Sequence, residues 1–346
     1  MQHFRNGVAA VLAVALLGLA AGCGQPGTAS GGSSAASETQ SVTGSTATPA
    51  AASQASQTAT PADWSFTDAL NRKVTIHAAP KRVVSLYGSF AEAWTLAGGT
   101  VVGTTQDAIS ERKMKFGDDV KVIGTNETLN MEQILALNPD FVILTSELSA
   151  QVKLDQSLTQ ANIPHAYFSC MTYQEYLDMM KGFTTLTGRP DLYEKNAAPV
   201  QKQVEAVIDK VPKDKPKPTA VLVRAYSTGA KAKGDDNVAG AIMKDLGVDN
   251  IVTRHQDLLE DISIEAIIQE DPDFIFVTTM GSDTQKALDT LKNGIEANPA
   301  WSGLKAVKEN HYIVLPKDLF HYKPNTRWGE SYEYLAKILY PDVFGS

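Results

Sequence analysis

The sequence predicts an α/β protein of two similar lobes, each a parallel sheet covered by helices. Three observations carry that prediction. Strand and helix signals alternate through both halves of the chain, as they do where helices cross over between parallel strands. One passage occurs twice: Glu132 to Thr145 reads E-Q-I-L-A-L-N-P-D-F-V-I-L-T, and Glu265 to Thr278 reads E-A-I-I-Q-E-D-P-D-F-I-F-V-T. The offset is constant, from Glu132 to Glu265 and from Pro139 to Pro272. It is far longer than the roughly 20–50 residues of a solenoid unit and fits two lobes on one plan, with something held between them. Finally, Lys213 to Lys217 alternates Lys with Pro and Asp, as an exposed connector does, directly after a helical stretch from Asp191 to Lys210. We read that stretch as one helix joining the lobes.

Each copy of the repeat has a local meaning. Ile134 and Leu137, and Ile264 and Ile267, are apolar at helical spacing. Proline stops the helix and biases the residue before it away from α geometry. Asp-Phe then opens an unbroken apolar run, Phe141 to Leu144 or Phe274 to Val277, the mark of a strand buried on both faces. Glu132 and Glu265 sit near the helix starts, where the dipole favours an acid.

The other elements follow in order. Trp64 to Ile76 is an opening hairpin with Asn71, tolerant of left-handed geometry, at its turn. Arg82 to Leu86 is a buried strand. The loop Tyr87-Gly88-Ser89 feeds a helix from about Phe90 to Ala97, Gly98-Gly99 caps it, and Val101 to Thr104 is the next strand. After the first repeat come a helix near Ala150 to Ala161, a strand from His165 to Phe168, a loop from Ser169 to Thr172 and a helix from Tyr173 to Leu186. The second half restarts with a strand from Ala220 to Arg224, a loop from Ala225 to Asn237, and a helix from Val238 to Leu246 closed by Gly247. After the second repeat come a helix from Asp283 to Ala297, a strand from Tyr312 to Leu315, a loop from Pro316 to Lys323 and a last helix from Asn325 to Leu339. Ligands of such sheets lie beyond the carboxyl ends of the strands. That points to the loops 87–89, 169–172, 225–237 and 316–323.

Ahead of these elements the chain is different. Arg5, an apolar run from Val8 to Leu19 and Ala20-Ala21-Gly22 form a secretory signal, too short to span a membrane. The run L-A-A-G-C ending at Cys23 resembles the lipobox of bacterial lipoproteins, although Ala20 stands where leucine is more usual. Cys170 is the one other cysteine, so lipidation of Cys23 leaves no intramolecular disulfide. From Gly24 to about Ala62 the residues are small and polar, and Val42 is the one large aliphatic side chain. Such a stretch cannot offset its ordering entropy and reads as a tether spanning on the order of 35 Å. The expected organisation is therefore signal 1–22, lipidated Cys23 and tether 23–62, first lobe 63–172, helical segment 173–217 and second lobe 218–346. The net charge of −8 argues against nucleic acid and against docking on anionic lipid.

From Trp64 to Tyr340 the motifs resemble the iron-complex and cobalamin substrate-binding proteins of ABC importers. The residues are D-A-L-N-R-K-V-T-I…P-K-R-V-V-S-L, S-F-A-E-A-W-T-L-A-G-G, the two E-x-I-(x)4-P-D-F passages, L-T-G-R-P-D-L-Y, and N-P-A-W-S-G-L-K-A-V-K-E-N. Their order and spacing are specific together, although none decides alone; Asn71 stands where glycine is usual. The resemblance implies two Rossmann-like lobes joined by a single long rigid helix, a ligand cleft between them and small hinge motion. It implies a monomeric lipoprotein serving an ABC permease dimer with its cytoplasmic ATPase. It also implies that an acid of each lobe docks on permease arginines; the matching residues are Glu132 and Glu265.

Within that frame Arg224 and Tyr226, with Lys231 and Lys233 nearby and Lys323 and Arg327 at the start of the last helix, suit an anionic, oxygen-rich, flat ligand: a ferric siderophore, or haem with its propionates. A haem would need axial ligands, and His321-Tyr322, Tyr87 and Met171 lie on cleft loops. Met171 and Tyr87 also fit packing against whichever ligand is present. Tyr173, Trp301 and Trp328 are further candidates, with Trp301 better suited to the core and Cys170 to a small buried site. Cobalamin leaves no readable signature and stays open. The six histidines are scattered without paired spacing, which disfavours a bare zinc or manganese site. No resident cofactor is expected. A Rossmann-like enzyme lacks support: the first loop, L-Y-G-S-F, is no G-x-G-x-x-G, G-x-S-x-G does not occur, and no motif supplies Ser89 with a histidine. A surface sensor or adhesin could share the fold, and partners alone would distinguish it.

Overall fold

Asn71 turns the chain back on itself at φ 60°. The turn joins β1 (Trp64–Thr67) to β2 (Lys73–Ile76) in the expected antiparallel hairpin, with Trp64 opposite Ile76. The Asp68 carboxylate holds it by accepting the backbone N–H groups of Leu70 and Arg72, each at 3.0 Å. The computed structural model describes residues 58–255, 263–281 and 283–345. The signal, Cys23 and nearly all of the tether lie outside the described residues.

Two sheets follow. The first contains β3 (Val83–Ser85), β4 (Val101–Thr104), β5 (Lys121–Val122), β6 (Phe141–Thr145) and β7 (His165–Phe168), all parallel, in the order β5-β4-β3-β6-β7. The second contains β8 (Thr219–Tyr226), β9 (Gly229–Ala232), β10 (Asp249–Asn250), β11 (Phe274–Thr279) and β12 (Tyr312–Val314). Its parallel order is β10-β8-β11-β12, with β9 antiparallel against β8.

The repeated passage occupies the same place in both sheets. Its strands, β6 and β11, lie between β3 and β7 and between β8 and β12. Its helices are Met131–Ala136 and Ile264–Glu270. The residues before the prolines, Asn138 and Asp271, stop those helices in left-handed geometry at φ 43° and 39°, which short polar side chains tolerate. The Asp of Pro-Asp-Phe then pins the neighbouring strand. Asp140 accepts the N–H groups of Lys81 and Arg82 at 2.7 and 2.8 Å. Asp273 accepts the N–H and hydroxyl of Thr219 at 2.8 and 3.0 Å.

Both box strands are buried along their whole length, because each side of each sheet is covered. One apolar core joins Phe141 and Ile143 of the first sheet to Leu222 and Phe276 of the second through the helix residues Phe183, Val204 and Tyr332. Separate clusters cover the opposite faces, around Val84, Val142 and Leu144 and around Val221, Val223, Ile275 and Val277.

The connection departs from expectation. Instead of one helix from Asp191 to Lys210 there are two, Pro190–Asn196 and Ala198–Ile208, broken at Ala197 with φ −120°. Pro199 is the cause: it offers no N–H, and its ring would clash with the carbonyl four residues back. At the break the Tyr176 hydroxyl donates to the Asn196 carbonyl at 2.8 Å. Other boundaries shift as well. The Ala225 to Asn237 loop is partly a hairpin, because β8 runs on to Tyr226. The loop from Pro316 holds a helical turn, Lys317–Phe320. The helix near Ala150 divides into Ser149–Val152 and Asp155–Gln160. The helix after β3 starts at Gly88, two residues early. The short strands β5 and β10 and the helix Gln106–Ser110 carried no readable pattern.

Candidate functional site

The carboxyl ends of both sheets deliver their loops to one seam. Tyr87 ends the turn after β3 and caps the helix Gly88–Leu96, with its ring 5.0 Å from Phe90. Burial, with Glu147, Asp107 and Glu111 nearby, lifts its hydroxyl well above the usual tyrosine range. Gly88 donates its N–H to the buried Asp107 at 2.6 Å. A side chain at Gly88 would meet the Ala108 backbone nitrogen at 2.5 Å, so glycine is required for that approach. Met171, after β7, is held by its N–H on Glu175 Oε2 at 2.6 Å.

The loop after β12 reaches across to these residues. Lys323 is 2 % exposed. Its ammonium lies 2.6 Å from Glu147 Oε1 and 3.2 Å from Met171 Sδ. Asn325, held at φ 54°, donates to the Ser89 carbonyl at 2.9 Å and to Glu92 Oε2 at 2.5 Å. Arg112 pairs with the same Glu92 carboxylate. Tyr322 lies against Glu111, and burial together with that acid pushes its hydroxyl up to about 12. Burial, reinforced by Asp107, raises Glu111 itself. Lys317 donates to the Gly281 carbonyl.

His321 is held neutral. Burial, then Arg224, Lys317 and Lys323, press its pKa down to about 3. Among the described residues its buried Nδ1 has no hydrogen-bond partner, and neither has Arg224 Nε near the end of β8. Arg224 stands directly opposite Lys231 across the β8–β9 hairpin. Like charges paired in that way repel. Tyr226 projects from the same face of β8, two residues on, opposite Gly229. Lys233 is half-buried, its N–H on the Leu222 carbonyl at 2.8 Å. The result is a seam with acids on the first sheet's side (Glu92, Asp107, Glu111, Glu147) and cations on the second's (Arg224, Lys317, Lys323).

Of the residues expected from sequence, Tyr87, Met171, Arg224, His321 and Tyr322 converge here, with Lys323. Arg327 does not: it is exposed, pairs with Asp318 at 2.6 Å and Glu330 at 2.7 Å, and faces a groove of about 590 Å³ lined by Gln203, Val207 and Phe344. Tyr173 instead stacks edge-on to Tyr332 at 5.9 Å in the helical layer. Trp301 and Trp328 are core residues, and Cys170 is buried with its thiol raised by that burial. Glu132 and Glu265 are both exposed, on helices capped by Asn130 and Ser263. Glu147, Glu111 and Lys317 were missed as site residues, and Glu147 had a usable signal. It lies just past a box strand, at a carboxyl end that belonged among the cleft loops. Among the described residues, no group of three or more His, Cys, Asp or Glu is placed to hold a metal ion.

A family model described as periplasmic binding protein matches residues 83–319. The chain belongs to the periplasmic binding protein family. Among the relatives of this periplasmic binding protein, the Fe(3+)-citrate-binding protein YfmC of Bacillus subtilis (strain 168) is 26% identical over 253 residues, covering 71% of this chain and 76% of the relative. Staphylococcus aureus SirA complexed with staphyloferrin B superposes with a TM-score of 0.61 at 21% identity, covering 80% of this chain and 98% of that one. A periplasmic heme binding protein from Pseudomonas aeruginosa does so with a TM-score of 0.62 at 22% identity, covering 76% and 94%. At such identities the two superpositions establish the fold. They agree with the parallel-sheet, two-lobe architecture described above.

Proposed function

We propose that this periplasmic binding protein captures an iron complex, a ferric siderophore or haem, in the seam between its sheets and delivers it to an ABC permease. It works outside the cytoplasm, tethered through a lipid on Cys23, and carries the metal as cargo without a resident cofactor or a reaction of its own. The observation that carries this reading is the unsatisfied guanidinium of Arg224 at the carboxyl end of the second sheet. Among the described residues buried Arg224 Nε has no partner, and Arg224 faces Lys231 across the hairpin. Unpaired buried donors are costly, and an anionic chelate rich in oxygen acceptors satisfies them. The names of the relatives point the same way, since they include proteins for ferric citrate and for heme.

The His321 imidazole is neutral, its Nδ1 without a partner among the described residues, which is the state an axial iron ligand needs and keeps haem beside the siderophores. Exposed Glu132 and Glu265, one on each half, supply the two matched acids for a symmetric permease dimer with its ATPase.

The test is the visible spectrum of the protein purified from its native host, followed by fluorescence titration with ferric citrate, a ferric trihydroxamate, haem and cobalamin. A Soret band or a broad ferric charge-transfer band is expected. A corrinoid spectrum would replace iron complex with cobalamin, and a colourless protein that none of the four quenches would remove the reading.

A further inference from the structure

We propose that Glu147 is a built-in counter-anion: its carboxylate holds the Lys323 ammonium across the seam and trades places with an anionic group of the cargo. This rests on reading the seam as the ligand site. The two partners are unequally placed. Lys323 is 2 % exposed, and an ammonium at that depth is strongly disfavoured unless it is paired. Its contacts are Glu147 Oε1 at 2.6 Å and the Met171 thioether, a weak acceptor, at 3.2 Å. Glu147 is thus the one carboxylate paired with it among the described residues. The Glu147 side chain is 24% exposed, on the turn between β6 and the helix Ser149–Val152. Of the two, the acid is free to leave for water.

The repeat shows that this acid is no requirement of the shared plan. At the same offset that relates Glu132 to Glu265, the second half carries Met280 in place of Glu147. A second contact across the seam, Asn325 on Ser89 and Glu92, does not involve Glu147 and keeps the halves joined when the carboxylate departs. Lys323 is not the one cation on its side of the seam. Arg224, Lys317 and Lys323 all act on His321, and among the described residues Arg224 Nε lacks a partner. A ligand with several anionic oxygens satisfies both Lys323 and Arg224, whereas Glu147 reaches one. A neutral chelate gains nothing from the exchange. Glu147 therefore sets a threshold that selects for ligand charge.

The experiment compares wild type and Glu147→Gln, a near-isosteric change, as full-length chains. Three probes are titrated: ferric citrate, a neutral ferric trihydroxamate and iron-free citrate. Removing the competitor is expected to tighten ferric citrate about tenfold or more and leave the trihydroxamate unchanged. Citrate alone is expected to raise the Tm of Glu147→Gln but not of wild type. In a Lys323→Gln background, Glu147→Gln should bring no gain, because the contested cation is gone. Equal affinities in both proteins, or equal weakening for both chelates as for a mere latch, overturn the proposal. Wild type binding none of the chelates, while citrate still stabilises Glu147→Gln, would sink the transport reading and keep the counter-anion. Normal binding by wild type with no effect of Glu147→Gln does the reverse.

Discussion

His321 shows how one side chain links burial to acid sensitivity. Its imidazole titrates near 3 in the folded protein against an ordinary value of 6.5. Between those values the unfolded chain binds more protons than the folded one, so stability rises with pH there. The contribution is complete above about 6.5 and is lost as pH falls toward 3. Urea midpoints at pH 7 and pH 4.5 should therefore fall further in wild type than in His321→Gln; equal falls would show that the histidine titrates normally. A second pair of residues acts through the backbone. Asp140 and Asp273 each tie the start of a neighbouring strand by two short hydrogen bonds. Removing either acid takes two hydrogen bonds from the start of a strand, each worth about 0.5–1.5 kcal/mol. Asp140→Ala and Asp273→Ala should each lower stability by that order in urea unfolding, and similar losses from both would confirm that the repeat uses the acid in one way.

Among the elements, the β8–β9 hairpin is the clearest case of structure kept against its own stability. Arg224 and Lys231 lie directly opposite one another, an arrangement that disfavours the pairing by a few tenths to about 1 kcal/mol. Lys231→Glu turns repulsion into attraction. It should raise the Tm measured without added ligand and weaken binding of ferric citrate; a stability gain with undiminished binding would place the hairpin outside the site. The connecting helix teaches a different point. Its apolar spacing, Val200 and Val204 with Val207 and Ile208, is visible in the sequence, and Val200 and Val204 are buried as that spacing requires. Yet Pro199 divides the helix, and its position alone was enough to foretell the break at Ala197.

For the whole molecule, the repeat sets an acid in the first turn of the corresponding helix beside each sheet. The exposed Glu132 and Glu265 are then the parts that a two-fold partner could read alike. Glu132→Arg combined with Glu265→Arg should abolish uptake in cells while leaving the affinity of the isolated protein for its ligand within about twofold, since both lie outside the seam and surface changes of this kind move stability little. Loss of ligand binding in that double variant would assign the acids to the cleft instead.

Local signals account for what was legible. Buried apolar runs, helical spacing, Asn71 at a turn and the two Pro-Asp-Phe passages each act over a few residues, so the sequence alone determined the class of fold, the two-sheet plan and the places of β6 and β11. They also marked most cleft loops, and through them Tyr87, Met171, Arg224, His321 and Tyr322. They left undecided which loop side chains meet. Lys323 and Glu147 lie 176 residues apart, and Asn325 and Ser89 lie 236 apart. No periodicity carries across such distances. The placement of Arg327 outside the seam and of Glu147 within it followed only when two sheets closed on one core, because a charge finds its partner in space and not along the chain.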